Sequence, residues 1–343
     1  MSFLSRRELL MAAGAAGASA ALAATEGLPT IKLGRHTVSR LIVGGNPVSG
    51  NSHTSSTLDR AMRDYFTAAN TKKLLARCEQ AGVNTWQSRG DRHILRLLNE
   101  YRLEGGRLQW IAQTASELAD IPRHIRELAS AGAIGIYHHG SQTDKFWRAG
   151  QIETAREMCK VMRDAGVQVG LGSHIPEVID YVESKAWDVD FYMTCVYNLS
   201  RTKEEQEQEQ AAGLGARASS PATSGPAAVS GVRAGTPALP GGQLFWDPDR
   251  EKMLARVRQT SKPCLIFKVY GAGRKCGSPA EMLDALRLVF RYAKPADAVV
   301  LGMFPKEKEQ VAENCRLFRE ALQQPAAAVA PPAFRPMSVH VRL

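Results

Sequence analysis

The chain lacks the marks of several protein classes. No uninterrupted apolar run of about eighteen residues lies in its body, which excludes a polytopic helical membrane protein. Its 44 Lys and Arg outnumber 34 Asp and Glu, for a net charge of +10. No Lys/Arg block is interleaved with aromatics, so this surplus reads as solvated surface and a nucleic-acid interface is not expected. The six cysteines (Cys78, Cys159, Cys195, Cys264, Cys276 and Cys315) follow no C-x-x-C or zinc-finger spacing. A cysteine-built metal cluster is therefore not expected, and most of these thiols read as small buried hydrophobes. One disulfide stays open in an oxidising compartment, with no pair singled out. The G-x-G-x-x-G of a dinucleotide-binding doubly wound sheet is missing too; Gly44-Gly45-Asn46-Pro47 stands after the first apolar run instead. What is present is ordinary for a globular protein: 343 residues, 44% apolar and 23% charged, enough for a sizeable core.

The first residues have a different character. Ser5-Arg6-Arg7-Glu8-Leu9-Leu10 precedes an Ala/Gly-rich run from Met11 to Ala21, and Ala21-Leu22-Ala23 supplies a small-x-small cleavage pattern. This resembles a twin-arginine export signal over residues 1–23; an ordinary secretory leader or a membrane anchor is the alternative. The resemblance implies the twin-arginine export machinery as a partner, a periplasmic or extracellular mature protein, and no stable membrane span after processing.

From there the chain alternates. Eight short β-rich runs begin at Arg40, Val83, Gln109, Ala133, Val167, Asp190, Cys264 and Ala298, and most are followed by an amphipathic helical pattern. Eight such units predict an α/β fold, a single-domain (β/α)8 TIM barrel over residues 30–325. The rhythm breaks after the sixth run. An acidic stretch, Lys203 to Ala211, leads into Ala211–Gly242, which is mostly Ala, Gly, Ser, Thr and Pro. Such a composition buries too little apolar surface to order itself. Residues 201–245 are thus expected to be a disordered low-complexity insertion, with a lid over the barrel mouth as the alternative, and residues 326–343 a flexible tail.

Residues at the C-terminal ends of barrel strands converge on one mouth, where barrel enzymes do their chemistry. Here these are His138 and His139 on the fourth strand, His174 on the fifth, Cys195, Tyr197 and Asn198 on the sixth, and Lys268 and Tyr270 on the seventh. Side chains alternate along a strand, so only one of His138 and His139 should face inward. Lys268 interrupts an apolar run. It either snorkels outward between helices or faces the pocket, where desolvation would lower its pKa toward that of a base or a Schiff-base amine. Cys195 would be reactive only with a cation beside it, and otherwise packs. His139, His174 and Cys195 have the ligand chemistry for zinc, but their spacing gives that reading no support, so no metal is expected.

One set of segments has a family likeness. Leu33-Gly34-Arg35, Val38-Ser39-Arg40-Leu41 and Gly44-Gly45 resemble the hairpin and first strand that open the aldo/keto reductase superfamily. The similarity continues in order through Ala81–Thr85, Gly172-Ser173, Ala272-Gly273-Arg274, Gly302 and Glu309–Asn314. The resemblance implies an exported oxidoreductase acting on a small carbonyl or sugar-type substrate, with NADP as cofactor. Gly273, Arg274, Lys306, Lys308, Gln310 and Asn314 would hold the dinucleotide. It also favours His139 over His138, because His139-Gly140-x-x-x-Asp144 matches a family loop. The family's catalytic Asp, Tyr and Lys are missing: Gln87 stands at the Asp position, no Tyr follows in Arg89–His93, and Ile111–Thr114 has no Lys. Ordinary carbonyl reduction thus lacks its proton donor, and Lys268 or Tyr270 would have to replace it. The alternative from the residues themselves is a cofactor-free lyase, isomerase or hydrolase using His139 and Lys268, or a binding protein with an inactive pocket.

Overall fold

The computed structural model describes residues 27–211 and 243–323. The leader and the 326–343 tail lie outside these residues, as do residues 212–242 of the insertion.

The chain opens with a hairpin, β1 (Thr30–Leu33) and β2 (His36–Ser39), paired antiparallel. Eight parallel strands then close a barrel: β3 (Leu41–Gly44), β4 (Thr85–Arg89), β5 (Gln109–Gln113), β6 (Gly135–His138), β7 (Gln168–Ser173), β8 (Phe191–Cys195), β9 (Cys264–Phe267) and β10 (Ala298–Gly302). Their order around the barrel is that of the sequence, with β10 pairing back to β3. All eight β-rich runs of the sequence are barrel strands, so the fold is a TIM barrel in a single domain.

The helices around it are α1 (Ser56–Tyr65), α2 (Ala68–Gln80), α3 (Arg92–Leu103), α4 (Ile121–Ser130), α5 (Gly140–Arg148), α6 (Glu153–Asp164), α7 (Pro176–Ser184), α8 (Lys203–Ala211), α9 (Asp247–Gln259), α10 (Pro279–Tyr292) and α11 (Gln310–Gln323). Two of these carry little sequence signal. Helix α1 is started by the Ser55 cap but buries only Met62, and α5 begins on a glycine with no side-chain cap. Helix α8 takes the acidic run, so the 201–245 segment is not uniformly irregular. Arg201, just before it, forms a buried bidentate pair with Asp249 at the start of α9. That pair ties the two ends of the segment together.

Two apolar layers result from strand alternation. Between strands and helices lies the larger core. Inside the barrel a smaller one contains Ile42, Ile111, Tyr137, Phe191, Met193, Leu265 and Val300, joined by Ile31, Leu33 and Val38 of the hairpin. The hairpin thus stoppers the end of the barrel where the strands begin, and chemistry is left to the other end. Gly170 makes room inside: a Cβ there would sit 2.4 Å from the Phe191 ring and 2.6 Å from Tyr137 Cβ. Gly170→Val should cost about 2–3 kcal/mol through overpacking, read as a lower denaturation midpoint with an unchanged m-value.

Candidate active site

At the open end, the β6–α5 junction sets the geometry. His138, the last residue of β6, turns outward; its ring Nδ1 lies 2.8 Å from Thr143 Oγ1 and it stacks on Phe146. The next residue, His139, is on the inward side, near His174, Arg89 and Lys268. Helix α5 starts at once on Gly140, where a Cβ would come within 3.3 Å of His174 Cε1. In its second turn α5 delivers Asp144 beneath the end of β7.

Asp144 is the centre of a buried cluster. It is 1% exposed, yet four donors reach it. Ser173 Oγ donates at 2.6 Å, the His174 backbone N–H at 3.2 Å, His174 Nδ1 at 2.7 Å, and Ser200 Oγ completes the set. Burial would raise the carboxyl's pKa, but His174 and the two serines outweigh it and hold Asp144 below the ordinary carboxylate range. His174 shows the converse. Burial opposes its charge, but Cys195 and Asp144 together lift its pKa to about 10. With Nδ1 turned to Asp144, the other side of the ring meets the Cys195 thiol, which is within hydrogen-bonding reach. A cation thus stands beside Cys195. His174 is an imidazolium at neutral pH, held in one orientation.

Lys268 adjoins this group through Cys195 and lies near His139. It follows the last residue of β9 in the left-handed conformation, φ 59°. That turn breaks the strand's alternation and swings the side chain into the mouth. Its Nζ lies 5.9 Å from the ring centroids of both Phe245 and Phe267. Burial lowers its pKa to about 8; Arg274 pushes the same way, while Cys195 opposes both. The broken alternation also explains a correction. Tyr270, expected at the mouth, points outward, and its hydroxyl donates to Asn314 Oδ1 on α11 at 3.0 Å. Burial pushes its phenol well above the usual tyrosine range, so it is no proton donor to this site.

Three loops roof the mouth. His53, from the β3–α1 loop, also has left-handed φ; its Nδ1 donates to Gln243 Oε1 at 2.9 Å, and Asn46 Nδ2 donates to its Nε2 at 3.3 Å. Thr54 Oγ1 donates to Ala272 O at 3.1 Å, and Arg274 donates to His53 O at 3.2 Å. Phe245 lies under the Arg274 guanidinium, 3.9 Å away, and against Tyr197. His53, Lys268 and Ala272 make three of the four non-glycine residues with positive φ among the described residues. Strain gathered at one place is typical of functional sites. His53, Gln243 and Phe245 carry no sequence signal, because loops bring them together over long separations. Asp144 is visible only as a spacing from His139; its bond to His174 is a tertiary fact.

Several of the residues expected around NADP are engaged within the protein. Arg274 is engaged with Gly271 O, His53 O and Phe245. Gln310 accepts from the Phe304 backbone N–H, and Asn314 accepts from Tyr270 and donates to Gln310 O. Gly273 and the exposed Lys306 and Lys308 are left for an incoming phosphate. Only part of the set is thus open to a dinucleotide. Among the described residues no cluster of three or more His, Cys, Asp or Glu is disposed to hold a metal ion, and no helix is long and apolar enough to cross a membrane.

No family profile and no curated protein matches the chain. Solved structures resemble it distantly. A truncated 3-deoxy-D-arabino-heptulosonate 7-phosphate synthase from Thermotoga maritima is 12% identical, covers 87% of this chain and 90% of its own, and has a TM-score of 0.45. The glycerol dehydrogenase AKR11B4 from Gluconobacter oxydans is 14% identical over 89% and 98%, with a TM-score of 0.36. A tryptophan synthase alpha-subunit mutant from Pyrococcus furiosus is 10% identical over 83% and 97%, with a TM-score of 0.42. Likeness at this level carries no argument about activity; the barrel is established by the strand order itself.

Proposed function

We propose that the protein is an enzyme that moves protons on a small polar substrate held in the barrel mouth, a lyase or isomerase in type. One observation carries this reading: the 2.7 Å contact between His174 Nδ1 and Asp144 Oδ2, with that carboxylate saturated by buried donors. A carboxylate so held keeps the imidazole in one tautomer and stabilises its charged form, which readies it to give a proton to a substrate oxygen. Two complementary groups face it. His139, whose pKa burial and His174 hold at about 4, is neutral, and its Nδ1 is buried without a partner. Lys268 has a substantial fraction of free amine near pH 8. Acid and base thus coexist at one pH because their surroundings push their pKa values apart. Incubating the full chain in D2O with a panel of small carbonyl compounds and sugars, followed by proton NMR, tests this. Enzyme-dependent loss of signal from a C–H next to a carbonyl supports it, and an unchanged panel contradicts it.

A second reading, an aldo/keto-reductase-like NADP-dependent oxidoreductase, is favoured by the hairpin stopper and by His139 at the end of the fourth strand. Calorimetric titration with NADPH tests it, since saturable binding is its first requirement. Export to the periplasm belongs to either reading. Replacing Arg6 and Arg7 together by Lys should leave unprocessed precursor in the cytoplasm, detected by fractionation and immunoblot.

A further inference from the structure

Among the described residues, Lys268 is set apart from the chain's other amines. Nearby cations have partners that engage them. Lys275 pairs with Asp247 at 2.7 Å, Arg201 with Asp249, and Arg274 donates to two carbonyl oxygens. Around Lys268 Nζ stand two aromatic rings, and the groups that act on its charge are Cys195 and Arg274, with no carboxylate among them. Its approach is fixed by a left-handed backbone whose carbonyl is itself tied down, accepting from the Gly271 N–H at 2.7 Å. A structural lysine would be expected to find an anion or to extend into solvent. This one is half-buried at the mouth, beside His139, and shares Cys195 as a neighbour with His174. Burial, with Arg274 pushing the same way, brings the amine's pKa down to about 8, although the two ring faces and Cys195 favour its ammonium form.

We propose that Lys268 is the nucleophile of a Schiff-base enzyme whose substrates are aldehydes or ketones. This deepens the proton-transfer reading and rests on it for the steps that follow addition. The Lys268 amine adds to the carbonyl carbon, and the C–N bond forms as the carbonyl π pair moves to oxygen. The nitrogen loses a proton and the oxygen gains one, giving a carbinolamine. His174, whose second ring N–H is shared with Cys195 until substrate enters, then gives that proton to the hydroxyl, which leaves as water while the nitrogen lone pair forms the iminium. Neutral His139 takes a proton from the adjacent carbon, the released pair moving into the iminium to give an enamine. Reprotonation and hydrolysis return free lysine, with no net oxidation. Asp144 contacts none of the reacting atoms; it is a positioning residue that keeps His174 charged and oriented.

The test is reductive trapping on the full chain. Glycolaldehyde serves as the probe and sodium cyanoborohydride as the reductant that fixes the imine as a secondary amine; a tryptic peptide map then reads the site. At pH 7.5 Lys268 should be modified about tenfold or more faster than the exposed Lys306 and Lys308, since each unit of pKa depression gives about ten times more free amine. Its rate should rise with pH and level off above about 8, the value to which burial brings this amine. Labelling of Lys268 no faster than Lys306 and Lys308 overturns the proposal. The outcomes also separate the two claims. Selective trapping without deuterium exchange into any substrate keeps the amine assignment and overturns proton transfer. Exchange without selective trapping keeps proton transfer and removes Lys268 as nucleophile.

Discussion

Replacing Asp144 by Asn should lower turnover of the substrate found by deuterium exchange by about 10³–10⁴-fold while leaving the barrel folded. The amide keeps the volume but removes the charge that sustains the His174 imidazolium. Loss of the orienting carboxylate in comparable acid–base sites has an effect of that order. Asp144→Ala should go further. It strands the Ser173 and Ser200 hydroxyls, the His174 N–H and a cationic ring in a site that is 1% exposed at Asp144 itself. Removing one partner of a buried ion pair costs about 3–5 kcal/mol. Urea unfolding of the two variants separates the effects: the Asn variant should keep most of its stability, whereas the Ala variant should lose a large part. If Asp144→Asn leaves turnover intact, the pair is structural only.

The second large effect is a loss of stability in acid. Burial holds His53, His138 and His139 at about 4, against an ordinary value of 6.5. Well above pH 6.5 all three are neutral in both the folded and unfolded chain, and they contribute nothing to the pH dependence. Between 6.5 and 4 the unfolded chain takes up protons that the folded one refuses, so stability falls as pH falls. Each refused proton is worth about 1.4 kcal/mol per pH unit. Asp144 adds to the acid loss lower down, because its folded pKa is depressed and its stabilisation disappears as it becomes protonated. On the alkaline side two groups oppose one another. The stabilisation from His174 is complete below 6.5 and is lost as pH rises through about 10. Lys268 carries its full cost below about 8 and is relieved as pH rises toward 10.5. The denaturation midpoint should therefore peak near pH 6.5, fall steeply toward pH 4, fall less steeply toward pH 8 as the unfolded chain releases the proton that folded His174 keeps, and change little between 8 and 10. A flat profile from 6.5 to 4 would mean that these histidines are solvated.

How much of this was legible beforehand follows from which interactions are local. The barrel strands stand out because a parallel strand covered on both faces is apolar without interruption, as in LIVG of β3, CLIF of β9 and AVVLG of β10. The convergence of strand-end residues follows from the fold, so His139, His174 and Lys268 were candidates by position alone. The outward turn of Tyr270 was not, because it depends on the left-handed backbone at Lys268, which no residue pattern announces. Asp144 reaches His174 thirty residues later in the chain, and His53 meets Gln243 across 190 residues. Such contacts need the closed barrel before they exist. Helices α1 and α5 are hard to read for a simpler reason: neither buries a long apolar stripe of the kind that α10 buries.

The central claim is that one histidine at this mouth is charged while its neighbours are neutral. Nitrogen-15 NMR of the imidazole rings, recorded on the full chain as a function of pH, reads the protonation of each directly. His174 should keep both ring protons up to about pH 10, whereas His53, His138 and His139 should stay neutral down to about pH 4. A His174 that titrates near 6.5 or below would contradict it, because no buried imidazolium would then face Lys268.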